Sequence, residues 1–233
     1  MIREQLTNWL EIDLDALSSN VKQIKARLAV NCRLLAVVKN DAYGLGAPEV
    51  ARHLADQVDY LAVSTLQEAL SLRSEGVALP ILVFIPPLRG QVDLFVKHNL
   101  TATLDSKQTL EVLRGSGLAV HLKVNTGMNR LGLAVAEVAE TAEQAQADGL
   151  IITGIYSHFA AAAEKSCAQK QLALFKQVLT ELDCKSIKRG LAHMANSAAI
   201  VNLPEAHLDM VRAGTLLYGQ SPVTLPAGFA LTD

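Results

Sequence analysis

The run Leu34-Leu35-Ala36-Val37-Val38-Lys39-Asn40-Asp41-Ala42-Tyr43-Gly44-Leu45-Gly46 joins a wholly apolar segment to a lysine and then to a glycine-punctuated turn. The apolar segment ends in two β-branched valines and reads as a strand buried on both faces, as in a parallel sheet or barrel. Gly44 and Gly46 permit positive φ and close backbone approach, and Pro48 opens a helical stretch to about residue 56. Lys39 therefore stands at the carboxyl end of a buried strand, where α/β folds place their chemistry. An amine in that position suits Schiff-base chemistry, although the same pattern also describes a lysine that ends a strand and reaches solvent.

Outward from this run, short apolar segments alternate with amphipathic ones. Residues 9–14 alternate apolar and polar like an edge strand, with Asp15 as the cap of a helix to about residue 28. Strands are expected at 34–38, 60–63, 81–85, 101–104, 119–124, 151–156, 190–194 and 208–211. Helices are expected at 65–75, 89–97, 106–114, 134–148 and 164–182. Eight strands that mostly alternate with helices argue for an α/β chain folded as a (β/α)8 TIM-like barrel rather than an open doubly wound sheet.

The 233 residues suffice for one sizeable core, and 50% apolar with 4% aromatic residues suits a Leu/Val/Ala-rich α/β protein. A net charge of -2 gives no electrostatic reason to expect nucleic acid or an anionic membrane as partner. No apolar stretch approaches the ~18 residues that span a bilayer, and residues 1–11 lack a signal-peptide pattern, so a cytoplasmic protein is expected. Cys32, Cys167 and Cys184 are odd in number and lack metal-ligand spacing, which favours buried or incidental thiols over disulfides or a metal site.

On the barrel reading, unusual polar residues gather at the carboxyl ends of the strands. Lys39 and Tyr43 follow the first; Asn125-Thr126-Gly127-Met128-Asn129-Arg130-Leu131-Gly132 follows the fifth; Ser157-His158-Phe159 ends the sixth. Asn196-Ser197 follows the seventh and Arg212-Ala213-Gly214-Thr215 the eighth. Five separate segments on one rim are hard to explain as packing, and the last two loops are where such barrels hold phosphate. Taken singly, each has a plainer account: Lys123 and Arg130 as surface charges, His158 as a core histidine, Asn196-Ser197 as a helix cap, Arg212 as half of a salt bridge.

Val38-Lys39-Asn40-Asp41-Ala42-Tyr43-Gly44-Leu45-Gly46 resembles the V-K-A-[DN]-A-Y-G-H-G motif of the alanine racemases, with Asn40 for alanine and Leu45 for histidine. The resemblance recurs along the chain. Lys123 to Gly132 resembles K-[VML]-D-T-G-M-x-R-[LIF]-G with Asn125 for aspartate, and Ser157-His158-Phe159-Ala160 resembles T-H-F-A. His193-Met194-Ala195-Asn196-Ser197-Ala198-Ala199 resembles H-x-A-N-S-A-A, and Val211 to Gly219 resembles V-R-P-G-I-x-L-Y-G with Ala213 and Thr215 substituted.

The resemblance implies a pyridoxal 5'-phosphate barrel that interconverts L- and D-alanine and supplies D-alanine for peptidoglycan. It makes Lys39 the cofactor-bearing lysine and an acid-base group, and it places His158 beneath the cofactor ring. Arg212 would face the pyridine nitrogen, and Tyr43, Ser197, Gly214 and Thr215 would lie on the phosphate. Arg130 would take the phenolic oxygen and the substrate carboxylate, and Lys123 would be open to carbamylation. No metal is implied. The family works as a homodimer whose second base is a tyrosine of a carboxyl-terminal β-domain from the partner subunit. None of Tyr43, Tyr60, Tyr156 and Tyr218 matches it. Residues 1–221 are thus expected to be the barrel and 222–233 the start of a connection to a β-domain missing here, which leaves a fragment weak in racemisation. Two alternatives remain: a lysine, ornithine or serine racemase, and a single-domain cofactor-binding homeostasis protein without racemase activity.

Overall fold

The structure, a computed structural model, describes residues 8–232. Its strands in chain order are β1 (Arg33–Val37), β2 (Tyr60–Val63), β3 (Ile81–Val83), β4 (Thr101–Leu104), β5 (Ala119–Asn125), β6 (Leu133–Ala134), β7 (Ile151–Tyr156), β8 (Leu191–His193) and β9 (Met210–Ala213). All pair in parallel, and β1 pairs with both β2 and β9 while β4 pairs with β5, so every strand but β6 belongs to one closed ring. This is the (β/α)8 barrel that the alternating pattern predicts. β6 is a two-residue addition on the outer flank of β5.

Helices α1 (Leu14–Lys25), α3 (Ala47–His53), α4 (Leu66–Ser74), α5 (Val92–Lys97), α6 (Lys107–Leu113), α7 (Val138–Ala147), α8 (Lys165–Cys184) and α9 (Ser197–Asn202) cover the outside. Between β1 and α3 lies α2 (Lys39–Gly44), in which Asn40, Asp41, Ala42 and Tyr43 all have φ between 52° and 59°, a left-handed turn. Strand alternation sorts the core into two layers. Leu34, Ala36, Val120, Leu122, Val124, Ile155, Ala192, Val211 and Ala213 join the large cluster shared with the helices. Leu35, Val37, Ala62, Leu82 and Met210 form a separate cluster inside the ring. By the same alternation His121, Lys123, Tyr156, His193 and Arg212 also point inward, and all five are buried.

Several expectations need correction. Residues 9–14 form no strand: the barrel is closed and offers no free edge to pair with, and Trp9, Leu10 and Ile12 are exposed. Asp13, not Asp15, caps α1, its Oδ1 accepting from the N–H groups of Asp15 and Ala16 at 2.9 and 3.2 Å. The expected helix 134–148 begins only at Val138, after β6 and a 3-10 turn over Val135–Glu137, and 89–97 likewise opens with a 3-10 turn over Arg89–Gln91. The last strand lies two residues later than expected, because Leu208 adopts φ 54° and ends the preceding turn. Arg212 is thereby a strand residue inside the barrel rather than part of the loop that follows. The three cysteines are free thiols. No helix among the described residues is long and apolar enough to cross a membrane.

Candidate active site at the barrel mouth

The carboxyl ends of the strands bring the expected residues together on one rim. Lys39 follows β1 and is only partly covered, and its Nζ has no hydrogen-bond or ion-pair partner among the described residues. The left-handed turn after it is held from outside: Glu68 on α4 accepts the Asn40 N–H, and the Asp41 carboxylate accepts the Ala47 N–H at 2.7 Å. This turn carries Tyr43 across the mouth, where its ring lies 4.9 Å from that of Tyr218, whose hydroxyl donates to the Val37 carbonyl at 2.9 Å.

Tyr43, Ser197 and Gly214 build a cradle. A Cβ placed on Gly214 would come within 2.8 Å of the Tyr43 hydroxyl and 3.9 Å of Ser197 Oγ, so the absence of a side chain opens this space. Ser197 Oγ accepts the N–H groups of Gly214 and Leu216 at 3.1 and 3.3 Å, and Asn196 caps α9 by accepting from Ala199 N–H. Thr215 starts the 3-10 turn that follows. Two hydroxyls and a helix start converging on a side-chain-free corner suit a phosphate group.

Arg212, 3% exposed, is anchored from β9 across the mouth. Its Nη1 donates to His193 Nδ1 at 2.8 Å and to the His193 carbonyl at 3.0 Å. Its Nη2 donates to the carbonyls of Ser157 at 2.7 Å and Met194 at 3.1 Å and to His158 Nδ1 at 3.3 Å. The remaining donor, Nε–H, has no partner among the described residues. Burial lowers the Arg212 pKa to about 10, which still leaves a cation at neutral pH. Burial and the Arg212 charge together push His158 down to about 3, so its imidazole is neutral.

Lys123, 5% exposed, lies within β5 and not on the surface. Its Nζ donates to the Val124 carbonyl at 2.9 Å and stands 5.4 Å from the centre of the Tyr156 ring. Burial, followed by the charges of Arg212 and Arg130, pushes its amine down to about 7. Arg130 itself is exposed, with no side-chain partner among the described residues. Its loop is shaped by Asn125, whose Oδ1 accepts from the N–H groups of Gly127 and Asn129, both at 3.1 Å, and whose amide donates to Asn129 Oδ1. Gly132 lets the loop return against β5, since a Cβ there would lie 2.7 Å from the Asn125 nitrogen.

Four supporting residues escaped the reading of the sequence. Gln171 on α8 donates to Thr126 Oγ1 at 3.3 Å and accepts the Ala160 N–H at 2.9 Å, tying the loops after β5 and β7 together. Tyr156 donates to Thr103 Oγ1 at 2.9 Å beneath Arg212. Glu68 fixes the Lys39 turn, and His121 lies behind His193 at 2.9 Å. A polar residue on the apolar face of a helix would have marked Gln171, and the alternation Val120-His121-Leu122-Lys123-Val124 would have marked His121.

Residues 12–222 match the alanine racemase N-terminal domain family. Alanine racemase 1 of Caldanaerobacter subterraneus subsp. tengcongensis is 42% identical over 226 residues, covering 91% of this chain and 58% of its own length. The alanine racemase of Desulfosudis oleivorans is 40% identical over 92% of this chain and 60% of its own. Among solved structures, an alanine racemase of Clostridium difficile 630 in complex with cycloserine superposes with a TM-score of 0.90 at 33% identity, over 97% of this chain and 66% of that one. The chain thus spans about 60% of the length of the curated relatives it matches. Barrel, rim and matched residues agree, and the chain belongs to the alanine racemase N-terminal domain family.

Proposed function

We propose that this chain is the cofactor-bearing barrel of an amino-acid racemase that interconverts L- and D-alanine with pyridoxal 5'-phosphate. The observation that carries the reading is the cradle of Tyr43, Ser197 and Gly214, with Lys39 and Arg212 on the same rim. The residues fit the cofactor: the cradle and the amides of Gly214 and Thr215 would hold its phosphate, the Lys39 amine would meet its aldehyde carbon, and the spare Arg212 Nε–H would meet its ring nitrogen. When bound, the cofactor supplies an electron sink for negative charge at the α-carbon of the substrate.

Arg130 would hold the substrate carboxylate, for which its planar fork is suited. Lys39 would take and return the α-proton from one face. Arg212 stays cationic, so it donates a hydrogen bond at the ring nitrogen without giving up a proton. Arg212 would thereby leave the ring nitrogen unprotonated, which would favour prompt return of the α-proton, and so racemisation over transamination. His158, kept neutral, would lie against the ring without competing for that proton. Lys123 is suited to carbamylation: its neutral amine is populated near pH 7, and a carbamate would place negative charge between Arg130 and Arg212.

Proton return to both faces needs a second base. Tyr218 bonds to Val37, Tyr156 is buried on Thr103, Tyr60 packs against the cluster inside the ring, and Tyr43 serves the cradle, so no tyrosine of this barrel is disposed for that role. The family's homodimer supplies it from a β-domain, and residues 222–233 would begin the connection to that domain. Placement in the cytoplasm and supply of D-alanine to the cell wall belong to the same reading.

The test is α-proton exchange in D2O on this chain with pyridoxal 5'-phosphate. D-alanine should exchange faster than L-alanine, without matching racemisation, and [13C]bicarbonate should add a carbamate signal that Lys123→Ala removes. Absence of exchange from either enantiomer in a cofactor-loaded sample would overturn the reading, as would exchange that survives Lys39→Ala.

A further inference from the structure

We propose that His121, buried inside the barrel, is a positioning residue that fixes the Arg212 guanidinium by setting the tautomer of His193. The inference rests on the reading above, in which Arg212 meets the cofactor's ring nitrogen. Two hydrogen bonds and one unpaired donor set its direction. A guanidinium only donates, so His193 Nδ1, 2.8 Å from Arg212 Nη1, must accept. The proton of the neutral His193 ring is then on Nε2. That nitrogen is 2.9 Å from His121 Nδ1, which must accept in turn. The His121 proton is left on its Nε2, a buried atom with no hydrogen-bond partner.

An unpaired buried N–H is costly, and a leucine or phenylalanine at position 121 would avoid it. The fold makes a second concession to the same ring. Gly154 on β7 stands in register with His121, and a Cβ there would lie 2.6 Å from His121 Nε2. The ring is therefore accommodated by a missing side chain and retained despite an unsatisfied donor. The service that offsets both is the acceptor that Nδ1 presents to His193. Tyr156 stacks on His193 with ring centres 5.0 Å apart and planes 8° from parallel, which fixes the plane of the imidazole but not the nitrogen that carries the proton. The Arg212 donor on one side and the His121 acceptor on the other make that choice together. With the other tautomer, His193 would aim an N–H at Arg212 Nη1, and the guanidinium would turn away and carry its Nε–H with it.

The experiment uses the chain with 15N-labelled histidine side chains and reads His193 tautomers by NMR, alongside an absorbance titration with pyridoxal 5'-phosphate. In the parent protein His193 should be protonated at Nε2 alone. His121→Leu should bring a population protonated at Nδ1 and weaken cofactor binding about tenfold, the worth of one lost hydrogen bond. His121→Asn, whose side-chain oxygen can accept from Nε2, should restore both readouts. Protonation of His193 at Nδ1 in the parent protein would overturn the proposal, as would an unchanged tautomer in His121→Leu or failure of His121→Asn to rescue. Should His121→Leu not fold, His121→Asn decides alone: the parent tautomer and affinity support the proposal and loss of either overturns it. A parent protein that binds no cofactor would defeat the functional reading, while the tautomers would still test the role of His121.

Discussion

Around Arg212 three imidazoles are kept neutral by burial first and by the guanidinium charge second, with His121 and His158 pushed down to about 3 and His193 well below its usual value. In the unfolded chain each would titrate near 6.5, so between that pH and about 3 the unfolded state binds protons that the native state refuses. Their contribution to stability is full above pH 6.5 and is lost as pH falls. The urea midpoint should therefore drop between about pH 7.5 and 5.5, above the range in which ordinary carboxylates titrate. A midpoint that is flat across that interval would mean the rings are not held neutral by the fold. Of these residues only His158 was given a role by its motif; His193 heads the segment that includes Asn196 and Ser197 but was given none. His121 was obscured because a polar residue within a strand usually faces solvent, whereas both faces of a barrel strand are covered.

The element that presents Lys39 is the left-handed turn α2, and its strain must be met from elsewhere in the fold. Each non-glycine residue in that conformation costs on the order of 1–2 kcal/mol. The turn is offset by the bond from Ala42 N–H to the Val38 carbonyl at 3.0 Å, by the two acceptors of Asp41, and by Glu68. Glu68 also accepts the N–H groups of Ser64 and Thr65, both at 2.8 Å, and so ties the Lys39 turn to the start of α4. Glu68→Ala would strand three backbone donors and should lower stability by roughly 1–3 kcal/mol in urea denaturation, with Glu68→Gln costing less because one side-chain oxygen still accepts. An unchanged midpoint in Glu68→Ala would show that the turn holds itself. The sequence signals positive φ here only through Gly44 and Gly46. Alanine and tyrosine carry no such signal, and Ala42 and Tyr43 adopt the conformation because contacts from α4 and the β9 loop over-determine it.

At the scale of the molecule, the barrel was legible because eight apolar runs buried on two faces leave few other arrangements, and closure then explains both what was right and what was missed. A closed ring has no edge, so residues 9–14 could not pair as their alternation suggested. The two-residue offset of β9 mattered more, since it turned Arg212 from a loop residue into an inward-facing strand residue with five acceptors around it. The rim itself was readable because its residues fall in motifs, but the hydrogen bonds that brace it come from Glu68, Gln171 and Thr103 in segments with no motif at all. The central claim is that this rim holds a cofactor on one lysine. It is tested most directly by borohydride reduction of the chain with pyridoxal 5'-phosphate, followed by peptide mapping. A single pyridoxyl group on Lys39, lost in Lys39→Ala, is the predicted result; a group trapped on another lysine, or none on Lys39 in a sample that binds the cofactor, would contradict the account.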